Sequence, residues 1–162
     1  MTHLLDTSAV LVHFFNEPGA EQVEALLAGG PEVACLAAPS WAELDRRLHE
    51  IIPDEAEAAR VLRHYTRSLC GFAAVDESAA LAAMQIRRCC SSRLPLVDAL
   101  IAGCAASNRL VLVHRDADHH ELALLLVVDG LKIRELGLAR RTPGSPEVQH
   151  HDLALQPRSG PG

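Results

Sequence analysis

Aromatic side chains are scarce: one Trp, one Tyr and three Phe make up 3% of the 162 residues. Leu, Val, Ile and Ala must therefore fill the core. With 49% hydrophobic residues the chain can bury a sizeable one. The many small residues imply closely packed helices. The five cysteines, Cys35, Cys70, Cys89, Cys90 and Cys104, contain no C-x-x-C and are odd in number. That argues against a structural zinc site and a disulfide framework. Several lie in apolar runs, where Cys behaves as a small hydrophobe. No apolar run is long and charge-free enough to cross a bilayer. The N-terminus lacks a basic region followed by a long apolar core. A reducing cytoplasm and no membrane partner are the expectation. Basic charge is also short, and the net charge is -6. This speaks against a general polyanion binder, because phosphate contacts come from Lys and Arg. The objection weakens if several acids are metal ligands, since bound cations invert the local field. A nucleic-acid groove would then rely on local clusters such as Arg46-Arg47 and Arg87-Arg88.

What is present is an alternation of short apolar runs with helical patterns. His3 to Leu5 reads as a strand ending in Asp6, and Thr7 or Ser8 can cap a helix to about Phe15. Ala20 to Ala28 has helical spacing, and Val33 to Ala38 reads as a second strand. Pro39-Ser40 opens a helix with Trp41, Leu44, Leu48, Ile51 and Ile52 on one side. Pro53-Asp54 starts another helix to about Leu69, and Cys70 to Val75 is a third strand. Asp76 to Cys90 is helical, and Pro95 opens a helix to Ser107 with Leu96, Leu100, Ile101 and Cys104 inward. Asn108 can take a left-handed cap before the strand Leu110 to Val113. A polar loop, a short helix from about His119 and a last strand near Leu131 to Leu136 follow. Residues 1–141 are expected to make one domain, and 142–162, rich in Pro and Gly, a disordered tail. Strands alternating with helices predict a three-layer α/β/α sandwich around a central parallel sheet. Ligands of such sheets bind beyond the carboxyl ends of the strands.

Four acids, Asp6, Glu43, Asp98 and Asp116, are the candidate site, with Asp118 as a possible fifth. Each also has a plain structural role. Asp6 can cap the next helix. Ser40-Trp41-Ala42-Glu43 matches a capping box, in which Glu43 reaches back to the Ser40 amide. Asp116 and Asp118 are turn acids. Asp98 is harder to explain away, because it sits in the first turn of a strongly apolar helix. An unpartnered carboxylate buried there would be costly. Hard divalent cations take carboxylate oxygens, and magnesium uses few of them beside water and substrate phosphates. The case rests on the constellation. The histidines His119, His120, His150 and His151 read as surface or tail residues, and only His114 lies close enough to the acids to count. Trp41 reads as core rather than as a base-stacking platform.

The segments Leu4-Leu5-Asp6-Thr7-Ser8-Ala9, Ser40-Trp41-Ala42-Glu43-Leu44, Leu94 to Ala102 with Asp98, and Leu110 to Asp118 resemble, in order, the motifs of the PIN-domain family. They most resemble its VapC-type toxins, and the resemblance runs from about residue 3 to 136. It implies a metal-dependent endoribonuclease, with Asp6, Glu43, Asp98 and Asp116 as catalytic and metal-binding acids, joined by Asp118. It also implies Mg²⁺ or Mn²⁺, an RNA substrate such as tRNA or another structured RNA, a homodimer, and a cognate antitoxin that covers the site. Two positions depart from the pattern. His114 stands where the family has Thr or Ser, and His119 where an aromatic usually follows. Two rival readings remain: an inactive PIN-like binding module, and an aspartyl-phosphate phosphotransferase using Asp6. The second lacks its usual partner acid, since Ser8 occupies that position.

Overall fold

The computed structural model describes residues 1–90, 94–115, 122–128 and 132–137, the last two segments as backbone. The described elements are β1 (His3–Leu5), α1 (Thr7–Phe14), α2 (Ala20–Leu27), β2 (Ala34–Ala37), α3 (Ala38–Ile51), α4 (Glu55–Arg63), β3 (Gly71–Ala73), α5 (Glu77–Cys89), α6 (Leu96–Ser107), β4 (Val111–Arg115), β5 (Leu122–Val128) and β6 (Lys132–Gly137). The strands form one sheet in the order β3-β2-β1-β4-β5-β6. The first four are parallel, with Leu5 level with Leu36 on one side and Val113 on the other.

Side chains alternate across a strand, and both faces of β1, β2 and β4 are covered. Leu5, Leu36 and Val113 join Val10, Val23, Leu44, Leu48 and Ala58 in one core, under α1 to α4. Leu4, Cys35, Ala37 and Leu112 join Ala79, Ile86, Ile101 and Cys104 in a second, under α5 and α6. This is the expected α/β/α sandwich. Double burial explains why the strands read as unbroken apolar runs rather than as alternating ones.

Local chemistry sets the helix starts. Asp54 accepts from the Glu57 amide at 2.7 Å to cap α4, and Asp76 accepts from the Ala79 amide at 2.8 Å to cap α5. α4 passes directly into a π-helical turn, His64–Leu69. There the Tyr65 hydroxyl meets His13 Nδ1 at 2.6 Å, while His13 Nε2 meets Glu24 at 2.5 Å. A neutral imidazole protonated on Nε2 satisfies both contacts, and the three residues pin α1, α2 and the turn together.

Four expectations shift. Residues 122–128 form a strand, where a short helix was expected to begin just before them. A short apolar run is ambiguous between the two states, and here the open edge of β4 decides it: Val111 pairs with Leu126 and Arg115 with Leu122, antiparallel. β6 then pairs antiparallel with β5, so the parallel core carries a two-strand extension. Arg109, not Asn108, takes the left-handed conformation, at φ 55°. Leu96 does not face inward; it is 58% exposed. Asp116, Asp118, His119, His120 and the segment 142–162 with His150 and His151 lie outside the described residues.

Helices α5 and α6 lie against each other through small residues. A Cβ on Gly103 would collide with the Ala79 carbonyl oxygen and stand 2.9 Å from the Ala83 nitrogen. Both obstacles are backbone and cannot rotate away. Gly103→Ala is therefore expected to lower unfolding free energy by about 1–3 kcal/mol, measured by denaturant titration.

Candidate active site

The carboxyl ends of the parallel strands carry the polar residues. Asp6 directly follows β1, and its amide donates to the Val113 carbonyl at 2.9 Å, fastening it to β4. Its carboxylate caps α1, accepting from the Ser8 hydroxyl at 2.6 Å and, more weakly, from the Ser8 amide at 3.4 Å. The cap is Asp6 itself rather than Thr7 or Ser8. The Ser8 oxygen in turn accepts from the Arg115 amide at 3.1 Å. One hydroxyl thus ties the ends of β1 and β4 together while orienting the carboxylate between them.

Glu43 arrives on α3, which begins immediately after β2. The helix starts at Ala38 with Ala37 as its cap, so Ser40 is interior to it. Ser40 is fully buried, and among the described residues its Oγ has no hydrogen-bond partner. The capping-box reading therefore fails. Glu43 instead accepts from the Thr7 hydroxyl at 2.9 Å, across 36 positions of sequence. Thr7 is 3% exposed, so its hydroxyl has little alternative but to serve that carboxylate.

Asp98 lies in the first turn of α6. It is exposed rather than embedded, because Leu96 and Val97 beside it are exposed too. The buried face of α6 begins at Ala99. The Asp98 carboxyl nevertheless holds its proton above the ordinary carboxylate range. Partial desolvation is the largest cause, followed by the charges of Asp6 and Glu43, with His114 opposing. The three acids from β1, α3 and α6 therefore share one electrostatic environment, and His114 on β4 belongs to it. β4 ends at Arg115, the residue before Asp116.

Among the described residues no three His, Cys, Asp or Glu side chains converge tightly enough to form a metal cage by themselves. The donor types, all carboxylate oxygens, fit a hard cation that keeps most of its water. They do not fit a zinc cage of thiolates and imidazoles.

Thr7, Ser8, Glu17 and Arg115 were not singled out as site residues from the sequence. Thr7 and Ser8 were visible as hydroxyls beside Asp6, but their long-range partners were not. Glu17 looked like part of a helix breaker. Its buried Oε2 faces the Arg115 guanidinium at 2.6 Å. Of the two arginine clusters, Arg46 and Arg47 both pair with Glu50 on α3. Arg87 and Arg88 line an open groove of about 450 Å³ with Met84, Leu96 and Leu100.

Solved structures share this fold. A DNA-bound VapBC complex from Salmonella typhimurium matches with a TM-score of 0.61 and 21% identity, over 71% of this chain and 86% of that one. VapBC2 from Rickettsia felis, bound to a fragment of its promoter, matches with a TM-score of 0.59 and 15% identity, over 73% and 90%. A toxin–antitoxin complex from Klebsiella pneumoniae matches with a TM-score of 0.53 and 22% identity, over 71% and 87%. At such identities the likeness is one of fold. No curated protein matches the chain. The sequence model of the PIN domain matches residues 3–125, a span that includes β1, α3, α6 and β4 with their acids. The chain belongs to the PIN-domain family.

Proposed function

We propose that the chain is a metal-dependent endoribonuclease, the VapC-type toxin of a toxin–antitoxin pair, that hydrolyses RNA phosphodiester bonds. The observation that carries this reading is that Asp6 at the end of β1 and Glu43, held by the Thr7 hydroxyl next to Asp6, add to partial desolvation in raising the proton affinity of Asp98. Asp116, which directly follows β4 in sequence, and Asp118 two residues further on are proposed to complete the set. Family membership supports a nuclease, and the toxin–antitoxin complexes among similar folds support an antitoxin partner. A homodimer in the cytoplasm completes the proposal. No helix of the described residues is long and apolar enough to cross a membrane.

Asp6, Glu43, Asp98 and Asp116 would hold Mg²⁺ or Mn²⁺. When bound, the cation supplies an activated water and charge stabilisation at the scissile phosphate. The protein's own residues prepare for it. Ser8 fixes the Asp6 carboxylate, and Thr7 fixes that of Glu43. Asp98 carries a proton more readily than an ordinary carboxylate, and a bound cation would favour its ionised form by offsetting the repulsion of its neighbours. The rival reading of an inactive module draws on His114, which brings an imidazole where the family has a hydroxyl.

Total tRNA and a mixed RNA pool should be cut with Mg²⁺ or Mn²⁺ and left intact in EDTA. Asp6→Asn and Asp98→Asn should each slow cutting by about a hundredfold or more, the scale of losing a few kcal/mol of charge stabilisation. Folded protein free of antitoxin that cuts nothing with either metal would favour the inactive module. Thr7→Val keeps the shape but removes the donor to Glu43. Losing such a support should cost about 10–100-fold in metal affinity or rate, measured by metal titration of cleavage. The pH dependence of stability has a definite sign. A folded pKa raised above the ordinary aspartate value of 3.8 means that the metal-free fold binds more protons than the unfolded chain. Asp98's contribution is therefore complete below that value and is lost as pH rises through its raised folded pKa. The metal-free thermal midpoint should decline across this window. Asp98→Asn or added Mg²⁺ should flatten the decline; a slope indifferent to both would contradict the coupling.

A further inference from the structure

Away from the acids, one edge of the sheet carries a second arrangement that the cleavage reading does not use. Phe72 on β3 is 50% exposed, although the chain has only three Phe. Its ring meets that of Trp41 edge-on, with centroids 4.9 Å apart. The Arg67 guanidinium sits 5.4 Å over the Trp41 ring. Trp41 is half-buried and packs against the core, so it anchors the cluster while Phe72 and Arg67 face solvent.

The strand register places this cluster. Phe72 pairs with Leu36, and Leu36 pairs with Leu5, the residue before Asp6. Register partners point to the same face, and Leu5 and Leu36 share one core. Phe72 is thus level with the last residue of β1, two strand spacings or about 10 Å across the sheet. Trp41 stands two residues before Glu43 on α3, so the two side chains leave the helix on different sides and the strand register is what sets the level of the cluster. An exposed ring beside a cation, at the level of the acids, matches how proteins hold single-stranded nucleic acid: a base stacks on the ring and a phosphate lies near the Arg.

We propose that Phe72, backed by Trp41 and flanked by Arg67, is a stacking subsite for an unpaired RNA base near the cleaved phosphate. The proposal rests on the endoribonuclease reading and adds a position at which the substrate must be single-stranded. It also offers a route to RNA affinity in a chain of net charge -6, because stacking needs no further positive charge.

The test is binding of a short labelled single-stranded RNA by fluorescence anisotropy, in a cleavage-silenced Asp98→Asn background with Mg²⁺. The same RNA with abasic positions is run beside it. Phe72→Ala should weaken binding of the intact RNA by about tenfold, Phe72→Tyr should restore it, and the abasic RNA should barely respond to either. Arg67→Gln should reduce the salt dependence by about one phosphate contact. Because Trp41 is the chain's single Trp, its emission should change saturably as the intact RNA binds. Folded Phe72→Ala with unchanged affinity would overturn the subsite, and so would equal loss for intact and abasic RNA. Either would assign the cluster to protein docking or to packing. Wild-type chain that cuts RNA while Phe72→Ala binds normally sinks the subsite alone. Wild-type chain that neither binds nor cuts RNA with either metal sinks the nuclease reading, and the subsite with it.

Discussion

Burial of the parallel sheet on both faces governs this molecule. Leu4 and Leu5 are adjacent, point to opposite sides and are each fully buried. A strand enclosed in this way has no face on which to carry a polar side chain. Carboxylates and hydroxyls are displaced to the point where the strand stops and its neighbours no longer cover it. Asp6, Thr7 and Ser8 stand there after β1, and His114 and Arg115 close β4. Asp6 and the last residues of β4 stand at one edge because the two strands are parallel and end at the same level.

Placing carboxylates together carries an electrostatic cost, and the surroundings show how it is managed. Asp6 is held by Ser8, which is itself held by the β4 backbone. Glu43 is held by a buried hydroxyl. Neutral hydroxyl donors orient the two carboxylates without neutralising them. Asp98 has no such support among the hydrogen bonds described, and it is the acid that shifts toward the protonated form. The only described cationic neighbour acting on it is a histidine, whose charge is conditional on pH. The Arg115 guanidinium is directed to Glu17 instead.

The few aromatic residues are used sparingly and in pairs. Tyr65 closes a polar contact between helices, and Trp41 meets Phe72 at the β3 edge. Aliphatic and small residues do the rest of the packing, most tightly where Gly103 meets α5. A core of this kind tolerates little added volume.

Much of this was legible in the chain. Doubly buried strands require unbroken apolar runs, and capping chemistry is local, so β1, β2, β4 and most helices lie close to where composition and spacing put them. The acids could be named for the same reason, since each stands where an apolar run ends or a helix begins. What could not be read was whatever depends on a partner distant in sequence. Glu43 fits a capping box by spacing, and only the helix start at Ala38 and the approach of Thr7 show that it serves a different partner. The apolar neighbours of Asp98 imply burial, yet Leu96 and Val97 face outward, a matter of how α6 rolls on α5 rather than of composition. The segment 122–128 was ambiguous by itself and became a strand because β4 offered it an unpaired edge. Local propensity and patterning set the elements; long-range hydrogen bonds and packing chose among the states those patterns left open.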